Sequence, residues 1–133
     1  MTYDFSFAHS PEGFDNHIDK SIRGYSNLLD DTVSFSRYFV EDNTKVVDVG
    51  CSTGKLTKMI MGNNPNRQEA QYVGVELAGS FFGNLDKREK EIKKEYPWAS
   101  LEWVKGDVTN YEFNNCSLVT SLFTLQFMPK PTR

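Results

Sequence analysis

The residues that could do chemistry are three acids and one glycine-rich turn. Asp48, Gly50, Ser52 and Gly54 alternate along "DVGCSTGKL", Asp48 to Leu56. Glu76 closes the apolar run of "YVGVEL", and Asp107 follows "LEWVKG". Glycines and small residues let a ligand come close to the backbone. Amide groups at a helix start face a polar or anionic group. A carboxylate at a strand end accepts hydrogen bonds from ribose hydroxyls or from an amino group. Together these residues suit recognition of a nucleoside-like ligand.

Such residues need strands to hold them. "KVVDVG" reads as a short buried strand, apolar, β-branched and stopped by glycine. "GKLTKMIM" reads as a helix and "GNNPNRQEA" as a loop. "QYVGVEL" is the second strand, "SFFGNLDKREKEIKKEY" a helix ended by Pro97, and "SLEWVKGD" the third strand. "SLVTSLFTLQF" is the fourth strand, and "MPKP" stops it. The run "KREKEIKKE" mixes both charge signs at helical period and reads as a solvated face. Before the first strand, "YSNLLDDTVSFSRYFV" places Leu28, Leu29, Val33, Phe35 and Phe39 near helical spacing, which suggests an amphipathic helix. Residues up to about 20 read as an extended arm running into a helix from about Phe14. Alternating strands and helices predict an α/β fold, a parallel sheet with helices on both faces. The three acids then stand in order at carboxyl ends of strands, where open parallel sheets bind ligands.

Three motifs compete for the loop. A phosphate loop needs G-x-x-x-x-G-K-[ST]. From Gly50 the second glycine comes one residue early, at Gly54, and Leu56 fills the Ser/Thr slot. A dinucleotide fingerprint needs G-x-G-x-x-G, but Ser52 and Lys55 occupy its second and third glycine positions. The pattern [DE]-x-G-x-[GS]-x-G of S-adenosylmethionine methyltransferases matches Asp48, Gly50, Ser52 and Gly54 in register. In that reading Glu76 accepts both ribose hydroxyls. Asp107 accepts from the adenine amino group, with Val108 offering its backbone.

Three stretches narrow the resemblance: "FDNHIDKSIRGYSNLL", "VVDVGCSTGKLT" and "FTLQFMP". The chain resembles the carboxy-S-adenosylmethionine-dependent transfer RNA methyltransferases, which complete the uridine-5-oxyacetic acid modification at the wobble position. The resemblance runs from about Phe14 to Arg133. It implies a Rossmann-like methyltransferase fold truncated after the fourth strand. Residues 1–45 would form an N-terminal arm and helical cap. Residues 46–133 would form the N-terminal half of the methyltransferase domain. It implies S-adenosylmethionine or its carboxylated form as cofactor, and transfer RNA as a partner. Tyr25 would meet the amino-acid or carboxylated end of the cofactor, and Gly50, Cys51 and Ser52 its methionine part. Leu122 departs from the family, which tends to carry asparagine there. The family's later strands, and the arginine that reads the extra carboxylate, have no counterpart in these 133 residues.

Composition sets the remaining bounds. The chain has 133 residues, 38% of them hydrophobic, which suits one domain with a modest core. A net charge of −3 gives no self-contained electrostatic footprint for nucleic acid. Cys51 and Cys116 stand far apart, with His9 and His17 near neither, so we expect reduced thiols, no metal site and a cytoplasmic protein. The start "MTYDFSFAHSPEGFD" lacks the basic and apolar regions of a signal peptide, and no stretch approaches a membrane span. No catalytic base is nominated; His17 reads as an ordinary histidine. Two readings of length fit: half of a longer enzyme, or a shortened relative completed by self-association or a partner. The rival function is a non-catalytic, methyltransferase-like binding module.

Overall fold

The structure is a computed structural model that describes residues 24–122. Among the described residues, four strands form one sheet: β1 (Lys45–Val49), β2 (Gln71–Glu76), β3 (Ser100–Lys105) and β4 (Cys116–Thr120). The order is β3-β2-β1-β4, and every neighbouring pair is parallel. Val47 stands beside Val73 on one side and Val119 on the other. Parallel strands need crossover connections. α2 (Lys55–Asn63) joins β1 to β2, and α3 (Phe82–Glu95) joins β2 to β3. A 3-10 turn, Gly79–Phe81, leads into α3, and another, Val108–Asn110, lies between β3 and β4. The order reverses between β1 and β4. There the chain leaves β1 toward β2 and later returns to β1's other side.

The pleat sorts side chains onto two faces. Val46, Tyr72 and Leu118 face the helices, in a core with Leu29, Leu56, Ile60, Met61 and Ile92. Val47, Val49, Val73 and Val75 face the other way, against Val104, Val108 and Tyr111. Burial on both faces explains the nearly unbroken apolar runs of β1 and β2. Among the described residues, the helices stand on one face only, and the turn around Val108 covers part of the other.

The first described helix, α1 (Tyr25–Ser36), follows Gly24, whose φ of 77° is left-handed. Its inward face differs from the expected one. Leu29 and Ser36 are buried, and Val33 packs half-buried beside them. Leu28 and Phe35 point outward, the latter 62% exposed. Each lies one residue before a buried position, about 100° round the helix. Phe39 lies past the helix and is 52% exposed, while Val40 is buried. Ser36 is inside because it is paired: its hydroxyl donates to Val33 O at 2.6 Å and accepts from Asn64 Nδ2 at 3.0 Å. β4 is shorter than expected among the described residues, and the expected helix from Phe14 and "FTLQFMP" lie outside them.

Candidate functional site

The turn after β1 is shaped by three left-handed residues: Gly50 (φ 69°), Ser52 (φ 53°) and Gly54 (φ 76°). It is tied to the end of β2. Gly50 and Cys51 N–H both donate to Val75 O, at 2.8 and 3.1 Å, and Gly54 N–H closes the turn on Cys51 O at 2.8 Å. Glu76 adds a side-chain tie. Its Oε1 accepts the Ser52 N–H at 2.7 Å, and its Oε2 accepts the Ala78 N–H at 2.9 Å. One carboxylate thus joins the glycine turn to the segment leaving β2.

Asp48 stands at the next strand end and is buried. Its oxygens accept from Thr57 Oγ1 at 3.3 Å, on α2, and from Thr120 Oγ1 at 3.1 Å, at the end of β4. Burial pushes its carboxyl up to about 7, against the pull of these two hydroxyls. Burial also raises Glu76, opposed by the N–H groups of Ala78 and Ser52. Among the described residues no lysine or arginine pairs with either acid. Cys51 lies buried beside them; burial, then the charges of Asp48 and Glu76, push its thiol well up. Both effects favour the neutral thiol over the nucleophilic thiolate.

Asp107 comes one strand further. Gly106 N–H donates to Glu76 O at 3.0 Å, which fixes the start of that turn against β2. Asp107 is exposed and caps the turn, its Oδ1 accepting the Thr109 N–H at 2.9 Å. That bond lowers its carboxyl below the ordinary value. Val108 is half-buried beneath it. Tyr25 opens α1 and packs, half-buried, on the core that contains Leu29. Gly50, Cys51, Ser52 and Glu76 thus form one hydrogen-bonded unit at the ends of β1 and β2. Asp48 flanks it, Asp107 and Val108 adjoin it through Gly106, and Tyr25 packs on the helix-side core.

Sequence reasoning missed the residues that hold this unit from behind. Gly74 gives room to Trp103: a Cβ there would meet Trp103 Cε3 at 2.5 Å and Cys51 Sγ at 2.8 Å. Arg88 donates from Nε to Thr53 O at 2.9 Å. Its place in "KREKEIKKE" suggested a solvated face, yet its side chain is only 21% exposed. Lys58, on α2, meets Glu91 and Glu95, on α3, at 3.1 and 3.2 Å. Thr57 and Thr120 carry no signal of their own; only the register of β4 and the helix turn bring them to Asp48.

The acceptors at the strand ends are carboxyl groups and the turn is small. That set suits a ligand bearing an ammonium, ribose hydroxyls and an amino group. Comparison with known proteins agrees with it. The methyltransferase domain family model matches residues 46–133. The chain belongs to that family. The chain is 29% identical over 124 residues to the carboxy-S-adenosyl-L-methionine synthase of Staphylococcus epidermidis, covering 93% of this chain and 50% of the relative. It is 30% identical over 131 residues to the enzyme of that name from a Shewanella species, strain ANA-3, covering 98% and 52%. The chain thus spans about half the length of the curated relatives it matches. A solved structure from Methanococcus maripaludis, described as an S-adenosyl-L-methionine-dependent methyltransferase, superposes with a TM-score of 0.65 at 14% identity, over 98% of this chain and 57% of that one. YjhP from E. coli superposes with a TM-score of 0.58 at 12% identity, over 91% and 44%. These likenesses establish the fold as a Rossmann-like methyltransferase fold. The family implies S-adenosylmethionine or its carboxylated form as cofactor, as the motif led us to expect. The named relatives make the carboxylated cofactor, whereas the sequence resemblance was to enzymes that use it on transfer RNA.

Among the described residues, no three histidine, cysteine, aspartate or glutamate side chains gather to hold a metal ion. Nor is any described helix long and apolar enough to cross a membrane.

Proposed function

We propose that this chain is the cofactor-binding half of an enzyme acting at the sulfonium of S-adenosylmethionine. The observation that carries the reading is the pair of buried acids, Asp48 and Glu76, which flank the glycine turn and pair with no lysine or arginine among the described residues. In this reading Asp48 faces the ammonium and Glu76 the ribose hydroxyls. Asp107 and the Val108 backbone hold the adenine, and Tyr25 closes over the amino-acid end. Gly50, Cys51 and Ser52 give the methionine part close backbone contact. The bound cofactor supplies an electrophilic carbon with a good leaving group. The protein's share is then alignment and exclusion of water, and we assign no base.

The names of the relatives favour the cofactor itself as substrate, with the carboxylated form as product. "GYSN" and "FTLQF" favour the second reading, transfer to a transfer RNA wobble uridine. Leu122, where the resembled family tends to carry asparagine, favours the third, a non-catalytic binding module. β4 ends the sheet of described strands, and its Val119 is 47% exposed. We therefore infer that further strands complete the sheet there, from the remainder of a longer chain or from a second copy. Residues 1–45 act as the cap, and the protein works in the cytoplasm.

Titration calorimetry with S-adenosylmethionine and its carboxylated form tests the reading. Micromolar binding of either is expected. No binding of either overturns it. Turnover by the chain alone would eliminate the binding-module reading, and a product with the mass of the carboxylated cofactor would select the first over the second.

A further inference from the structure

Asp48 has two neighbours in the sheet, and they are unlike. The register puts Gly74 of β2 on one side of it and Thr120 of β4 on the other. Glycine has no side chain to offer, so it is the β4 flank that meets the carboxyl. Thr120 Oγ1 stands 3.1 Å from Asp48 Oδ1, and Thr57 Oγ1, from α2, stands 3.3 Å from Oδ2. All three residues are buried, and the carboxyl is held at both oxygens. The titratable groups beside it are Glu76, at the end of β2, and the Cys51 thiol, in the turn; Glu76 opposes its charge. α2 and β4 thus present hydroxyls to a buried acid, where a cation is the usual partner.

Thr120 also has a second acceptor within reach. Its Oγ1 stands 3.5 Å from Val47 O, the carbonyl that precedes Asp48. A hydroxyl both donates and accepts. When Asp48 is ionised, the Thr120 proton goes to Oδ1. When Asp48 carries its proton on Oδ1, it donates to Thr120 Oγ1, whose own proton turns to Val47 O. Neither state leaves a buried polar group unpaired, so the acid changes charge without repacking. The bond to the ionised form is the stronger of the two, so the hydroxyl favours the carboxylate. A cofactor ammonium needs that form, with its oxygens held in place.

We infer that Thr120 is a positioning residue: its hydroxyl fixes the Asp48 carboxyl in the orientation that receives the cofactor ammonium and supports its charged form. The inference rests on the cofactor reading above. It gives β4 a part in binding, since the strand at which the described sheet ends carries the group that readies the acid.

The test compares the full chain with Thr120→Val, which keeps the shape and removes the hydroxyl, and with Thr120→Ser, which restores it. Carbon-13 NMR of the ligand-free protein follows the Asp48 carboxyl through pH, with Asp48→Asn to assign its signal. Calorimetry with S-adenosylmethionine covers the range on either side of the wild-type value of about 7. Loss of a hydrogen bond to a charged group predicts a titration midpoint about one pH unit higher in Thr120→Val. Binding is then expected about tenfold weaker than the wild type's at about pH 6, the gap narrowing to about twofold by about pH 8. Thr120→Ser is expected to match the wild type in both readouts. An unmoved midpoint, or a valine variant that binds as well as the wild type, overturns the inference while the cofactor reading stands. So does weakening by one factor at every pH that serine does not rescue, which marks a structural role. Thr120→Ala removes the same hydroxyl and decides the matter should valine prevent folding. A wild type that binds no S-adenosylmethionine overturns both.

Discussion

The Glu76 carboxylate accepts the Ser52 amide N–H at 2.7 Å, so the acid that ends β2 also sets the conformation of the turn that follows β1. Its other oxygen holds Ala78 N–H at 2.9 Å. A glutamine there offers one acceptor and presents an amino group to the second N–H. Glu76→Gln is therefore expected to lower unfolding stability by about 1–3 kcal/mol. It should also weaken S-adenosylmethionine binding by about tenfold or more, since it loosens the turn and halves the acceptors for ribose. Urea denaturation and calorimetry read the two effects. Unchanged stability would show that the bridge does not form.

Asp48 makes the site sensitive to pH. Its carboxyl is held up at about 7 by burial, against an ordinary value of 3.8. In the fold it stays protonated to near neutrality, while in the unfolded chain it ionises at ordinary acid pH. The folded form thus binds more protons between those values. The stabilisation is complete below the unfolded value and is lost as pH rises toward 7. The urea midpoint of the wild type is expected to fall over that range relative to Asp48→Asn, which cannot titrate. An ammonium beside Asp48 pulls its pKa down. Cofactor binding at or just below pH 7 is then expected to release a proton, and the affinity should rise with pH up to about 7. Calorimetry in buffers of different ionisation enthalpy measures the proton. Zero release in the wild type, or equal release by Asp48→Asn, would remove Asp48 from the ammonium site.

Gly74 is a packing requirement. A Cβ there would stand 2.5 and 2.6 Å from two ring carbons of Trp103 and 2.8 Å from Cys51 Sγ. Overpacking of this kind predicts that Gly74→Ala costs about 1–3 kcal/mol. Trp103→Leu removes the obstructing ring. The double variant is expected to be more stable than the sum of the two changes predicts, by about 1 kcal/mol. Strict additivity in denaturant unfolding would mean that the ring does not lie over Gly74.

How much of this was legible beforehand follows the reach of local signals. The strands were readable because "KVVDVG" and "QYVGVEL" are buried on both faces and stop at residues that end strands. The order of Asp48, Glu76 and Asp107 was readable because each directly follows or closes such a run. Their surroundings were not. The helical period of α1 is legible but its inward face is not, because Leu28 and Phe35 share a spacing with Leu29 and Ser36, one residue out of phase, and only packing on α2 picks the face. Thr120 needed the β1–β4 register, in which it stands beside Asp48. Arg88 needed the docking of α3 behind the turn. A charged run at helical period carries no mark of which residue turns inward.

That inward turn is itself testable. Arg88 gives its Nε–H to Thr53 O at 2.9 Å and lays its stem on Gly54, where an added Cβ would meet Cγ of Arg88 at 3.1 Å. Its contact with Glu91, at 3.4 Å, is on the surface, since Glu91 is 51% exposed. The two interactions differ in weight. A hydrogen bond from a charged donor to a carbonyl sheltered by the turn is worth about 1.5–3 kcal/mol. An exposed ion pair is worth about 1 kcal/mol or less. Arg88→Ala is expected to cost the larger amount and to speed hydrogen exchange at the Gly50, Cys51 and Gly54 amides, whose bonds shape the turn. Arg88→Lys keeps the charge but lacks the Nε donor, and it should fall close to the alanine variant. Glu91→Gln removes only the exposed pairs and should leave those amides protected. Exchange rates equal in Arg88→Ala and the wild type would place the restraint on the turn elsewhere.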